Sequence, residues 1–232
     1  MIQFNQTEIG YKQTLLKIDS LNLQEGKVYA LVGRNGVGKS TLLQSMAKLI
    51  PLISGDIRYE DISLKNLSRN QLARLIAFVE SKFDGVEFLS VLNYLMLGRA
   101  PYTSLTGKLS ETDKAFVNEI SKELQITHLL SKSTTEISDG ERQICSVARA
   151  LIQETPIILM DEPTAFLDFI NRQKLLELLI KIAAEKQKCI VLSTHDIDLC
   201  LENQLTFLIA SRGIVVKESC TKKTELINYF SR

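Results

Sequence analysis

Apolar and polar residues alternate over the first twenty-five positions of the chain, from Met1 to about Glu25: Ile2 and Phe4, then Leu16, Ile18 and Leu21. A repeat of two puts side chains on one face of extended backbone, so this stretch predicts antiparallel strands. The pattern then changes. Val28-Tyr-Ala-Leu-Val32, Ile157-Ile-Leu-Met160 and Cys189-Ile-Val-Leu192 are unbroken apolar runs of strand length. Such runs predict strands covered on both faces, as in a parallel sheet between layers of helix. The covers are visible too. Leu42, Leu43, Met46, Ala47 and Ile50 recur at helical spacing, and so do Leu175, Leu178, Leu179 and Ile182. The reading is an α/β fold with a mainly parallel sheet and an N-terminal antiparallel β subdomain.

From about 86 to 154 the periodicity is helical, over Phe88–Leu97, Glu111–Leu124 and Glu141–Gln153. In the last of these Ile144, Val147, Ala148, Leu151 and Ile152 form one stripe. A helical subdomain inserted between two core strands, at the sheet's edge, is expected within one domain spanning 1–232. Two short strands around Gly213 and an amphipathic segment after Thr221 close the chain, with no internal repeat.

Composition narrows the classes. The 232 residues are 45% hydrophobic and 24% charged, with a formal net charge of +1. That is an ordinary globular profile, and it gives no general pull toward nucleic acid, so no nucleic-acid partner is expected. No apolar run approaches the ~20 residues needed to span a bilayer. The first ten residues lack the basic flank and apolar stretch of a secretory signal, so the chain is expected in the cytosol. Cys145, Cys189, Cys200 and Cys220 form no C-x-x-C pair, which argues against a zinc site or a disulfide framework.

The chemistry lies in four short segments. Gly33-Arg34-Asn35-Gly36-Val37-Gly38-Lys39-Ser40 fits G-x-x-x-x-G-K-S/T, after a buried strand and before an amphipathic helix that takes in Thr41. Average residue usage gives such a match by accident about 1% of the time in a chain this long. The glycines let backbone N–H groups converge on phosphate oxygens, and the helix N-terminus adds positive potential. Lys39 can reach the β- and γ-phosphates, and the Ser40 hydroxyl can ligate Mg²⁺. The second apolar run ends in Asp161-Glu162, carboxylates suited to a Mg²⁺ ligand and to a base for the attacking water. Ser193-Thr-His195 follows the third run, so His195 lies at the same edge of the sheet and can meet a γ-phosphate. Ser138-Asp139-Gly140-Glu141 opens the striped helix as a capping box, and an exposed helix start with a serine and a glycine can also grip phosphate.

In this order the segments resemble the ATP-binding subunit of ABC transporters. The resemblance runs from Tyr11 to the terminal strands. Gly33–Thr41 is similar to the Walker A loop and Leu159–Glu162 to the end of Walker B. Asp168 matches the D-loop, His195 the switch histidine, and Tyr11 the aromatic that stacks on adenine. Ile137–Glu141 occupies the signature position, usually Leu-Ser-Gly-Gly-Gln. What the resemblance implies is ATP and Mg²⁺ as cofactors and a head-to-tail dimer with a second copy of the chain. Each ATP then lies between one Walker A loop and the other copy's Ser138–Glu141. Transmembrane permease subunits are implied as partners, with a solute-binding protein acting indirectly, and a place at the inner face of the cell membrane. The short stretch after His195 implies no regulatory domain of the sugar-importer kind. Gly98-Arg99-Ala-Pro101-Tyr102 resembles a segment of ATPases serving siderophore, haem and vitamin B12 importers, and physically it also reads as a helix end stopped by Pro101.

Two positions depart from that pattern. Ser81 stands at the Q-loop glutamine, where its shorter side chain needs a bridging water to reach the metal. Asp139 replaces a signature glycine and carries a carboxylate toward the neighbour's γ-phosphate, a repulsion relieved if Asp139 turns away or pairs with Arg142. Import of an iron complex is the leading expectation. Export, a soluble ABC process and a slow-turnover regulatory module are the alternatives.

Overall fold

The computed structural model of the chain describes residues 2–103 and 109–231. Met1 and Arg232, the ends of the expected single domain, lie outside the described residues. The chain starts with β1 (Ile2–Gly10), β2 (Thr14–Leu23) and β3 (Lys27–Gly33), followed by α1 (Lys39–Met46), β4 (Ser54–Tyr59) and β5 (Ile62–Ser63). Next come α2 (Arg69–Leu75), β6 (Ile76–Val79), α3 (Val91–Met96), α4 (Glu111–Glu123) and α5 (Asp139–Ile152). Then β7 (Ile157–Met160), α6 (Phe169–Glu185), β8 (Cys189–Ser193) and α7 (Ile197–Glu202) complete the α/β alternation. The chain closes with β9 (Thr206–Ser211), β10 (Ile214–Glu218) and α8 (Lys223–Ser231).

Among the described residues ten strands join one sheet in the order β5-β4-β1-β2-β10-β9-β3-β8-β7-β6. From β9 to β6 neighbours run parallel, whereas β1 pairs antiparallel with β2 and β4. The unbroken apolar runs have a direct cause. Val28, Ala30 and Val32 of β3 point into one core with α5 and α6, while Tyr29 and Leu31 point into another with α1 and the first strands. β7 and β8 divide in the same way, Ile158 with Met160 and Ile190 with Leu192 on the first side. Both faces are dry, so both sets of positions must be apolar.

Between β6 and β7 the named elements are all helical. The first of these helices begins later than its periodicity suggests. Ser90 caps it by accepting from the Asn93 N–H, while Phe88 stays outside it at φ 62°. The cap overrides a pattern that would have started at Phe88.

Gly98–Tyr102 ties this block to the end of α5. Arg99 reaches Asp113 at 2.7 Å, Glu154 at 2.6 Å and the Ile152 carbonyl at 3.0 Å, with its guanidinium over the Tyr102 ring. A Cβ on Gly98 would come within 2.6 Å of the Arg149 carbonyl, so only glycine lets the segment pack so close. The Arg99 side chain is 11% exposed. Arg99→Met should therefore destabilise the fold by about 2–3 kcal/mol, somewhat less than for a fully buried pair because Glu154 is half exposed. The check is a fall in the urea midpoint at unchanged slope.

Candidate active site

β3 delivers the chain to a loop that must be glycine-rich. A Cβ on Gly33 would lie 2.6 Å from the Ala210 carbonyl of neighbouring β9. Gly38 sits at φ 111° immediately before α1, a region closed to most side chains. Gly38 supplies no side chain to cap α1, so the first amides of the helix remain available to an anion. Lys39 folds back to donate from Nζ to the Gly33 carbonyl at 3.0 Å. Burial lowers its pKa from the ordinary lysine value, against the upward pull of Glu162 and Asp161. The loop thus carries a partly desolvated cation at its centre.

Strand register brings the acids to the same place. β7 and β8 lie side by side with Met160 opposite Leu192, so the residues after each strand end together. Ser193 links them: its hydroxyl donates to Asp161 Oδ1 at 2.6 Å and accepts from the Glu162 N–H at 2.8 Å. Glu162 takes a left-handed backbone, φ 47°, and its carboxylate Oε1 lies 3.0 Å from His195 Nε2. Asp196 steadies the flanking loops by accepting from Thr164 at 2.7 Å and from Arg172 at 2.8 Å.

These groups enclose a cavity of about 510 Å³ bounded by Leu15, Asn35, Gly36, Gly38, Lys39 to Thr41, Glu162 and His195. Arg34 and Val37 complete the loop without lining the cavity; the Val37 N–H bonds the Arg34 carbonyl in a turn. Tyr11 stands 67% exposed in the turn between β1 and β2, and Leu15 is the residue of that hairpin lining the cavity. Ser81 is exposed just beyond β6 and lies outside the lining.

Ser138–Glu141 also stand apart from the cavity of their own chain. They form the capping box of α5: Ser138 Oγ accepts from the Glu141 N–H, and Glu141 reaches back to the Ser138 N–H at 2.8 Å. Asp139 pairs with Arg142, which also donates to the Ile137 carbonyl at 2.6 Å. Asp168 caps α6 by accepting from the Asn171 N–H at 2.8 Å. Ser193 and the Thr164–Asp196–Arg172 clamp are the residues that the pattern did not single out. Their one sequence signal is position, directly after an apolar run or beside a charged motif.

The arrangement can hold a polyphosphate on backbone amides and one lysine, with a carboxylate and an imidazole at its mouth. Fold and loop together define a nucleotide-binding protein of the P-loop α/β class. A profile of the ABC transporter family matches residues 16–165, and the chain belongs to that family, as an ATP-hydrolysing cassette. The petrobactin import ATP-binding protein FpuD of Bacillus anthracis is 34% identical over 193 residues, 82% of this chain and 70% of the relative. The achromobactin transport ATP-binding protein CbrD of Dickeya dadantii is 34% identical over 192 residues, covering 82% and 71%. Among solved structures, the ATP-binding cassette MJ0796, a dimer in a post-hydrolysis state bound to ADP and Pi, superposes with a TM-score of 0.82. It is 26% identical, with 96% of this chain and 99% of that chain covered.

Ser193→Ala leaves Asp161 Oδ1 and the Glu162 N–H short of a partner, a loss of roughly 1–3 kcal/mol in holding the two acids. The expected outcome is ATP hydrolysis slowed by about tenfold or more with ATP still bound, read from steady-state kcat and nucleotide binding on the same preparation.

Proposed function

We propose that this chain is the ATPase subunit that energises uptake of an iron complex through a partner permease. The complex would be a siderophore, haem or a cobalamin-like chelate. Work is done by ATP-driven closure of a head-to-tail dimer. The observation that carries the catalytic half is the 3.0 Å contact between His195 and Glu162 at the mouth of the phosphate-loop cavity.

The triphosphate lies along the amides of Gly33–Thr41, and Lys39 leaves the Gly33 carbonyl for the β- and γ-phosphates. The donor set suits a hard divalent cation: the Ser40 hydroxyl and the Asp161 carboxylate are oxygen ligands. Among the described residues no three His, Cys, Asp or Glu side chains gather, which fits an ion that completes its shell with phosphate oxygens and water. Bound there by Ser40 and Asp161, Mg²⁺ would neutralise charge on the phosphates. Glu162 accepts the proton of the attacking water, and His195 fixes the Glu162 carboxylate and meets the γ-phosphate. Tyr11 is the candidate for stacking on adenine, and Ser81 for reaching the water chain. We take residues 1–232 as one ABC ATPase domain with 86–154 as its inserted helical part.

The second half of each site comes from a second copy, whose Ser138–Glu141 turn presents the start of α5 to the γ-phosphate. Asp168 lies between the two. The Asp139–Arg142 pair supports turnover rather than a silent regulatory module, because Arg142 offsets the charge of the carboxylate brought near phosphate. No described helix is long and apolar enough to cross a membrane, and we assign the spanning part to separate permease subunits. A groove of about 770 Å³ offers them a seat, with Leu72, Phe83 and Tyr94 along it and Arg69 and Arg149 beside them. The chain then works at the inner face of the cell membrane, with a solute-binding protein acting indirectly. The substrate class rests on the petrobactin and achromobactin relatives and on the Gly98–Tyr102 segment.

Two experiments test this. Glu162→Gln should slow ATP hydrolysis by about a hundredfold or more while ATP still binds and accumulates a dimer; hydrolysis at the wild-type rate would end the catalytic assignment. Purification of the tagged chain from membranes in mild detergent should bring down a multi-span permease, and ferric chelates should stimulate the ATPase of that complex. A soluble partner, or none, would move the function away from transport.

A further inference from the structure

Thr134 lies fully buried in the lead-in to Ser138. Its hydroxyl accepts from the Val86 N–H and donates to the Val86 carbonyl, each at 2.9 Å. Valine has nearly the same shape and would suit a dry position, so what the threonine adds is these two bonds. They extend a short antiparallel pairing. The Leu92 N–H donates to the Leu130 carbonyl at 3.0 Å, the Val91 N–H to the Lys132 carbonyl at 2.9 Å and the Thr134 N–H to the Leu89 carbonyl at 2.9 Å, with Ser90 opposite Ser133. Gly85 closes the end of it: at φ 82°, a Cβ there would lie 2.7 Å from the Thr134 carbonyl. Two backbones are thus pressed together around one side chain.

Each side of this pairing leads to one half of the site. On the first side the chain comes from β6, whose last residue, Val79, accepts at its carbonyl from the Asp161 N–H at 2.9 Å. Asp161 and Glu162 belong to the half-site that the chain keeps. On the second side the chain runs from Thr134 through Ile137 into the Ser138–Glu141 turn, the half that it lends. Arg142 binds this lead-in to the first turn of α5. It pairs with Asp139 and donates to the Ile137 carbonyl at 2.6 Å and to the Thr134 carbonyl at 3.4 Å. Residues 134–142 are therefore tied into one unit, and the Thr134 hydroxyl fastens that unit to the loop leaving β6. Neither Thr134 nor Val86 lines the nucleotide cavity, so neither touches the ATP that its own chain holds.

We propose that Thr134 is a positioning residue for the nucleotide site of the second copy. Its hydroxyl holds the Ser138–Glu141 turn at a fixed place relative to Asp161 and Glu162 of its own chain, so that both half-sites of a subunit meet their counterparts at once. The inference rests on the head-to-tail dimer proposed above and adds to it the bonds that space the two halves.

Thr134→Val on the Glu162→Gln background tests it. Sedimentation velocity in ATP gives the dimer constant, and titration with a fluorescent ATP analogue at protein concentrations below that constant gives the affinity of the single chain. The expected result is a dimer weakened by about fivefold or more, with the single-chain affinity unchanged. Thr134→Ser keeps the hydroxyl and should restore most of the dimer. Thr135→Val, at the exposed neighbouring position, should leave the dimer as tight as its parent.

A Thr134→Val dimer as tight as its parent overturns the proposal and leaves the head-to-tail reading standing. Equal weakening by Val and Ser also overturns it, because the cause is then packing and not the two bonds. A parallel loss of single-chain affinity does the same, since it marks general damage. No ATP-dependent dimer of Glu162→Gln itself removes the head-to-tail reading, and the role of Thr134 with it.

Discussion

The chemistry of this chain depends on three parallel strands that end together. β3 pairs with β8 so that Leu31 meets Ser193, and β8 pairs with β7 so that Leu192 meets Met160. That register sets the glycine loop, Glu162 and His195 around one cavity, with Asp161 buried next to them. A slip of one residue would turn the side chains of a strand to the wrong face and carry its terminal groups away. Apolar patterning alone does not prevent that slip, because both faces of each strand are apolar and buried; the register is held by the fit of particular side chains into two close-packed cores.

The site built on this edge is electrostatically balanced. Lys39 is taken out of water by the fold of its own loop, which lowers its pKa, and the two acids just after β7, one strand beyond β8, supply the opposite charge. Ser193 holds that pair in place with one hydroxyl, donating to Asp161 and accepting from the Glu162 backbone. The result is a cation and the Glu162 carboxylate at one cavity, with Asp161 held beside them by Ser193.

The helical block hangs on this core through a second polar knot, Arg99 with Asp113 and Glu154, which fixes the block to the end of α5. The other end of α5 is the Ser138–Glu141 capping box. One helix therefore joins the anchored base of the block to the exposed Ser138–Glu141 turn. The stretch around Asp168 lies against the start of this helix and leaves Phe166 and Phe169 exposed.

Much of this was legible in order along the chain. The unbroken runs at Val28, Ile157 and Cys189 announced buried parallel strands, because only a strand dry on both faces needs apolar residues at consecutive positions. The glycine spacing before Lys39 announced the phosphate loop, since few sequences satisfy its backbone. Ser138 and Glu141 announced a helix cap, a purely local bond. Other features belonged to the tertiary structure alone. The 3.0 Å meeting of Glu162 and His195 and the two hydrogen bonds of Ser193 are set by which strands become neighbours, and no local pattern encodes that order. The placement of Leu15 rather than Tyr11 on the cavity wall depends on how the hairpin lies over the loop. Phe88 and Phe169 are large apolar residues, yet both stand in solvent. A side chain's hydrophobicity fixes its preference for burial, but the packing of distant segments decides whether this chain alone can grant it.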